Sequence, residues 1–137
     1  MIAVDASALA AIVFGEDERT EFLDLVFRSE RALIATPTLL EAKMVVRARR
    51  GERAAALLDD LLALPVFEPV PPTVADIQCA YTAFIVFGKG SGHRAGLNYG
   101  NLFSYALAKT RGLPLLFKGD DFSHTDVVPA VRMRASS

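Results

Sequence analysis

Four short apolar runs divide this chain, and no two of them are close enough in sequence to close a hairpin. IAVD (2–5), ALIAT (32–36), VFEPV (66–70) and PLLF (114–117) are separated by stretches with helical spacing. Strands joined by helices of ten or more residues favour a parallel sheet covered on both faces. The expected fold class is therefore α/β, a three-layer α/β/α sandwich with a central parallel β-sheet. Ligands of such sheets sit beyond the carboxyl ends of the strands, and chemistry is expected at that edge.

The segments between the runs read as helices with recognisable punctuation. SALAAIVF follows the first strand, with Ser7 placed to cap it, and EDERTEFLDLVFRSE (16–30) gathers Phe22, Leu25, Val26 and Phe27 on one side. Thr36 before Pro37 reads as an N-cap followed by a first helical residue, with the helix running to about Arg50 and stopping at Gly51. ERAAALLDDLLAL continues as another helix until Pro65, and residues 74–87 are helical again. A loop with five glycines, GKGSGHRAGLNYG (88–100), leads into a helix to Thr110 and a turn at Arg111 and Gly112. No repeat or linker divides the chain, so 1–137 is expected to form a single domain.

Composition narrows the function classes. With 52% hydrophobic and 23% charged residues the chain can build a core, which argues against disorder. No run approaches the ~20 apolar residues of a membrane span, and MIAVDASALA lacks the basic start of a secretory signal. A cytoplasmic protein without membrane contact is expected. Cys79 is the sole cysteine, which excludes an internal disulfide, and DIQCAYTAF reads as the setting of a small buried side chain. Fifteen basic against sixteen acidic residues leave a charge of -1, so affinity for nucleic acid would come from a local patch. EAKMVVRARRGER supplies Lys43, Arg47, Arg49, Arg50 and Arg53, a run that equally suits a solvated helix face.

Acids from three segments are directed to the favoured edge. Asp5 closes the first strand, where it serves either as a turn residue or as a ligand. Glu41 stands just over one turn into the helix after the second strand and shares a face with Val45 and Ala48. A carboxylate on an apolar face needs a cation or a hydrogen-bonding neighbour, and Lys43 points elsewhere on this helix. Asp120 and Asp121 follow PLLF in FKGDDFSHTD, where a surface turn would use the same residues; Asp126 is open to the same reading. Clustered carboxylates repel unless a cation sits among them, and an oxygen donor set suits Mg²⁺ or Mn²⁺. One cysteine and two separated histidines, His93 and His124, argue against zinc. The natural chemistry of such a site is metal-assisted phosphodiester hydrolysis.

These residues carry a resemblance. VDASAL is similar to the opening Asp-x-Ser/Thr-Ala-Leu of PIN-domain ribonucleases, LLEA resembles their central glutamate segment, and GLNYGNLFSYALAK with PLLFKGDDFSHTDV resembles their C-terminal block. The similarity covers nearly the whole chain and is specific to VapC-type toxins of type II toxin–antitoxin pairs. It implies a PIN-like fold, a site of Asp5, Glu41 and Asp121 with Asp120 beside it, and Ser7 supporting the first acid. It also places Asn101 where the family has an aspartate. A neutral amide there keeps the shape, replaces an acceptor-only anion by one acceptor and one donor, and can still cap a helix. Weakened metal binding and a large fall in hydrolysis are expected, from either a natural loss or a deliberate Asp→Asn change.

The resemblance implies a metal-dependent endoribonuclease using Mg²⁺ or Mn²⁺, leaving 5′-phosphate and 3′-hydroxyl ends. Its partners would be an RNA substrate, a VapB-type antitoxin and a second toxin copy in a homodimer, with operator DNA reached only through the antitoxin. Arg47, Arg49, Arg50 and Arg53 are candidates to guide RNA, joined by Lys89, His93 and Arg94 of the glycine-rich loop, which lacks the Gly-Lys-Ser/Thr ending of a nucleotide-binding loop. Tyr81, Phe84, Ile85 and Phe87 read first as a core-facing series and second as an interface. The alternative to the enzyme is a catalytically inactive RNA- or partner-binding module with a native Asn101. A receiver-like phosphotransfer domain built on Asp5 is disfavoured by the missing acidic pair before strand one.

Overall fold

A computed structural model describes residues 1–131; residues 132–137, the end of the expected domain, lie outside the described residues. The chain runs β1 (Ile2–Val4), α1 (Ala6–Val13), α2 (Arg19–Arg28), β2 (Ala32–Ala35), α3 (Thr36–Leu62), β3 (Phe67–Val70), α4 (Val74–Phe87), α5 (Tyr99–Arg111) and β4 (Leu115–Leu116), then a 3-10 turn at Asp121–His124. The four strands form one sheet in the order β3-β2-β1-β4, every neighbouring pair parallel. This is the expected three-layer α/β/α arrangement.

The two-residue period of the strands builds both layers of core. Ile2, Val4, Ala32, Ile34 and Leu116 face a cluster completed by Leu9 and Ile12 of α1, Phe22 and Val26 of α2, and Val46 and Leu58 of α3. Ala3, Leu33, Ala35 and Leu115 face the opposite cluster with Ala80 and Ala83 of α4 and Leu102, Tyr105 and Ala106 of α5. Burial of each large aliphatic side chain contributes about 1.5–3 kcal/mol, which makes these faces the main source of stability.

Element ends differ from the sequence reading at the starts of α1, α2 and α3. Asp5, not Ser7, caps α1, because the strand stops at Val4 and the Asp5 carboxylate accepts from the Ser7 amide. Thr36 lies inside α3 rather than at its cap, since Pro37 follows and the chain turns at Ala35. The charged stretch from Glu16 to Glu18 forms a turn, and α2 begins only at Arg19.

Gly51 breaks α3 as expected, with φ 77° and ψ -164°, a left-handed region that favours glycine. The second arm folds back along the first: Lys43 lies 3.5 Å from Asp59, although a straight helix would hold residues that far apart at about 24 Å. The run of arginines therefore sits around the tip of a helical hairpin.

On α4 the large residues face outward, contrary to the core-facing expectation. Tyr81, Phe84 and Ile85 are exposed and Phe87 is half-buried, while Ala80 and Ala83 pack inward. Small side chains at those two positions let α4 approach α5 closely, and the bulk is left outside. Cys79 is half-buried, not fully enclosed. Asp76 at the start of α4 accepts from Thr110 near the end of α5 at 2.6 Å, so the two helices run antiparallel.

Candidate active site

The strand order reverses between β1 and β4, and the crevice beyond the carboxyl ends of these strands is where a parallel sheet offers a site. Asp5 is the first residue after β1. Its amide donates to the Leu116 carbonyl of β4 at 2.9 Å, and its side chain is only 2% exposed. The Ser7 amide and hydroxyl both donate to Asp5 Oδ2, at 3.1 and 2.7 Å, and Ser7 Oγ accepts from the Lys118 amide at 3.0 Å. Ser104 of α5 donates to Asp5 Oδ1 at 2.5 Å.

Glu41 enters from α3 and lies against the first turn of α5. A Cβ on Gly100 would meet Glu41 Oε2 at 1.7 Å, so the carboxylate occupies space that only glycine leaves open. Burial, followed by the negative charge of Asp5, holds the Glu41 carboxyl above its ordinary range. Neither acid makes an ion pair among the described residues. Asp5 caps α1 and the Glu41 carboxylate lies against the first turn of α5, both at helix N-termini that favour negative charge.

Asn101 caps α5. Its Oδ1 accepts from the Asn98 amide at 3.0 Å, and its own amide donates to Asn98 Oδ1 at 3.0 Å, a reciprocal capping box. An aspartate at this position could make the same backbone contact, so the helix start does not depend on the amide. Two carboxylates with no cationic partner suit a hard divalent cation, whereas the Asn101 side chain offers a neutral oxygen already engaged by the Asn98 amide.

The remaining expected residues are placed less centrally. Asp120 and Asp121 are exposed on the segment after β4, which is anchored by buried Phe122 and by Lys118 pairing with Glu16 and Glu18. Among the described residues no three of His, Cys, Asp and Glu gather closely enough to hold a metal ion. Asp5 stands close enough to Glu41 for its charge to raise the Glu41 carboxyl, and Asn101 directly follows Gly100, against which Glu41 lies. At the hairpin tip Arg47 lies 3.9 Å from Glu52 and Arg50 stacks over Phe14 at 4.9 Å, while Arg49 and Arg53 are exposed. Lys89 and Arg94 are exposed on the glycine-rich loop, and His93 Nδ1 accepts from the Ala95 amide at 3.0 Å.

The PIN domain model matches residues 2–128. The chain belongs to the PIN domain family. Ribonuclease VapC30 of Mycobacterium tuberculosis is 42% identical over 124 residues, which cover 90% of this chain and 94% of that protein. Ribonuclease VapC28 of the same species is 38% identical over 131 residues, 96% of this chain and 98% of that protein. Among solved structures, M. tuberculosis VapC20, described as a sarcin-ricin loop cleaving toxin, superposes with a TM-score of 0.75 at 18% identity, covering 93% of this chain and 97% of that one. VapBC2 of Rickettsia felis, solved with a DNA fragment from its promoter, gives 0.71 at 16% identity, covering 94% and 96%. The relatives make this a VapC-type PIN domain, and the structures support the fold.

Three residues of this PIN-domain site escaped the sequence reading: Ser104, Thr38 and Gly100. Ser104 lies three residues beyond Asn101 and Thr38 three before Glu41, one helical turn in each case. That spacing was the available signal.

Proposed function

We propose that this VapC-type PIN domain is the toxin of a VapBC-type pair, an endoribonuclease that hydrolyses RNA phosphodiesters with Mg²⁺ or Mn²⁺, and that Asn101 leaves this form weakened or inactive. The observation that carries the reading is the pair Asp5 and Glu41, two converging carboxylates without a cationic partner, at the strand-order reversal beside Asn101. Asp5, Glu41 and a carboxylate restored at position 101 would hold the cation, with Asp121 completing the set. A cation held by these residues would supply a lowered pKa to a bound water and neutralise charge on the scissile phosphate. The chain's own contribution is to hold Asp5 through Ser7, seat Glu41 over Gly100, and guide the RNA backbone with Arg47, Arg49, Arg50 and Arg53 and the loop cations Lys89 and Arg94.

A VapB-type antitoxin is the partner supported by the VapBC2 neighbour and by a toxin–antitoxin complex from Klebsiella pneumoniae that superposes with a TM-score of 0.69. Operator DNA is assigned to the antitoxin. Ile77, Tyr81, Phe84, Tyr99 and Phe103 line an apolar hollow of about 380 Å³ between α4 and α5, a surface suited to a second toxin copy. The sheet that gathers all four strands supports a single domain, and no described helix is long and apolar enough to cross a membrane. A cytoplasmic location is part of the proposal.

The test compares this chain with Asn101→Asp, freed of antitoxin, on a mixed RNA pool with Mg²⁺, Mn²⁺ or EDTA. Metal-dependent cleavage restored by the substitution is the expected result. A second reading, an inactive RNA- or partner-binding module, draws on the intact capping box around Asn101. Silence of both folded forms would favour it.

A further inference from the structure

Ser104 reaches across the sandwich instead of turning back on its own helix. A serine inside a helix commonly bonds a carbonyl one turn earlier. Ser104, 1% exposed, instead donates at 2.5 Å to Asp5 Oδ1, 99 positions earlier in the chain. Its Oγ also lies 3.3 Å from Thr38 Oγ1. The serine has a single proton, and the short bond to the carboxylate uses it, so Thr38 is the donor in the second contact.

The two oxygens of Asp5 are therefore held differently. Ser7, on Oδ2, belongs to the helix that Asp5 itself caps and moves with it. Ser104, on Oδ1, belongs to the helix layer on the other face of the sheet. Only the second contact fixes Asp5 relative to α5, the helix that also carries Asn101 and seats Glu41.

We infer that Ser104 is a positioning residue for Asp5, oriented by Thr38, and that this hydroxyl pair sets the aim of the first acid toward the other two corners of the site. The inference rests on the metal-site reading above and names the groups behind it. Partners that orient metal ligands typically change metal affinity or activity 10- to 100-fold when removed, on the order expected here.

The experiment uses the Asn101→Asp background. Ser104→Ala removes the donor with little change of volume and with better helix propensity, so folding is retained. Ser104→Thr keeps a hydroxyl. Isothermal titration with Mn²⁺ should give a dissociation constant about tenfold higher for Ser104→Ala, with recovery toward the parent value in Ser104→Thr. Unchanged affinity in Ser104→Ala, or no recovery in Ser104→Thr, overturns the inference. A crystal structure of Ser104→Ala in the Asn101 chain gives a readout without metal: the Asp5 carboxylate should rotate, and an unmoved carboxylate refutes the positioning role. Failure of Asn101→Asp itself to bind Mn²⁺, with Asp5 rotated in Ser104→Ala, would remove the metal-site reading and leave the positioning role standing.

Discussion

Glu41 occupies the space in front of Gly100, where a Cβ would lie 1.7 Å from Glu41 Oε2 and 2.6 Å from its carboxyl carbon. The obstacle is the far end of a flexible side chain, so a side chain at position 100 would displace the carboxylate before it displaced the backbone. Gly100→Ala gains about 1 kcal/mol of helix propensity and loses a comparable amount through crowding. Its melting temperature is expected to stay close to the parent's, while Mn²⁺ binding in the Asn101→Asp background falls sharply. Calorimetry and metal titration on the same samples separate the two effects. Intact binding would mean that Glu41 finds another route into the site.

The raised Glu41 carboxyl predicts a pH dependence. A carboxyl whose folded pKa lies above its unfolded value of 4.5 binds its proton more tightly in the native state. Its contribution to stability is complete below 4.5 and is lost as pH rises through the folded value. Glu41→Gln removes that loss, so the variant should exceed the parent in stability at about pH 7 and converge with it near pH 4. Urea unfolding at both values measures the gap. A gap that widens toward acid would contradict the assignment.

Asp126 points the other way. Burial opposes its ionisation, but the Tyr105 hydroxyl at 2.5 Å and the Lys109 ammonium at 3.0 Å outweigh it, and the carboxyl is held below its ordinary 3.8. Tyr105 remains the donor, because burial and then Asp126 push its hydroxyl well above the usual range. The stabilisation is present above 3.8 and disappears as pH falls through the lower folded value. Asp126→Asn should cost about 1–2 kcal/mol at pH 7, a figure reduced for solvent screening of the half-exposed pair, and progressively less as pH falls below 3.8. Thermal melts at about pH 7 and below pH 3.8 check it.

The arginines at the hairpin tip have unequal freedom. Arg50 is stacked on Phe14 and Arg47 approaches Glu52, which leaves Arg49 and Arg53 as the more available partners for phosphate. Arg49→Glu combined with Arg53→Glu is expected to weaken RNA binding and to flatten its salt dependence, by about 0.7 in log–log slope for each single-strand phosphate no longer neutralised. An unchanged slope would take this tip out of the RNA path.

Local chemistry explains how much of this was legible in advance. The bounds of α4 follow from Thr73, Asp76 and the glycine after Phe87, all neighbours in sequence. The break at Gly51 follows from a backbone conformation that favours glycine. Asp5 was found at the site because a strand end fixes a position in a parallel sheet. The outward face of α4 was misjudged, because apolar character does not reveal whether a neighbouring helix packs on the large residues or on alanines.

Sequence by itself determined the alternation of strands and helices and the parallel sheet that this alternation favours, since both depend on residue type and short-range spacing; the departure at Asn101 came from the resemblance to the PIN-domain pattern. Tertiary structure alone decided that Ser104 grips Asp5 and that Glu41 requires a glycine at position 100. Those relationships join residues far apart in the chain. Their distances depend on how α3 and α5 close over the sheet, and no local pattern encodes that closure.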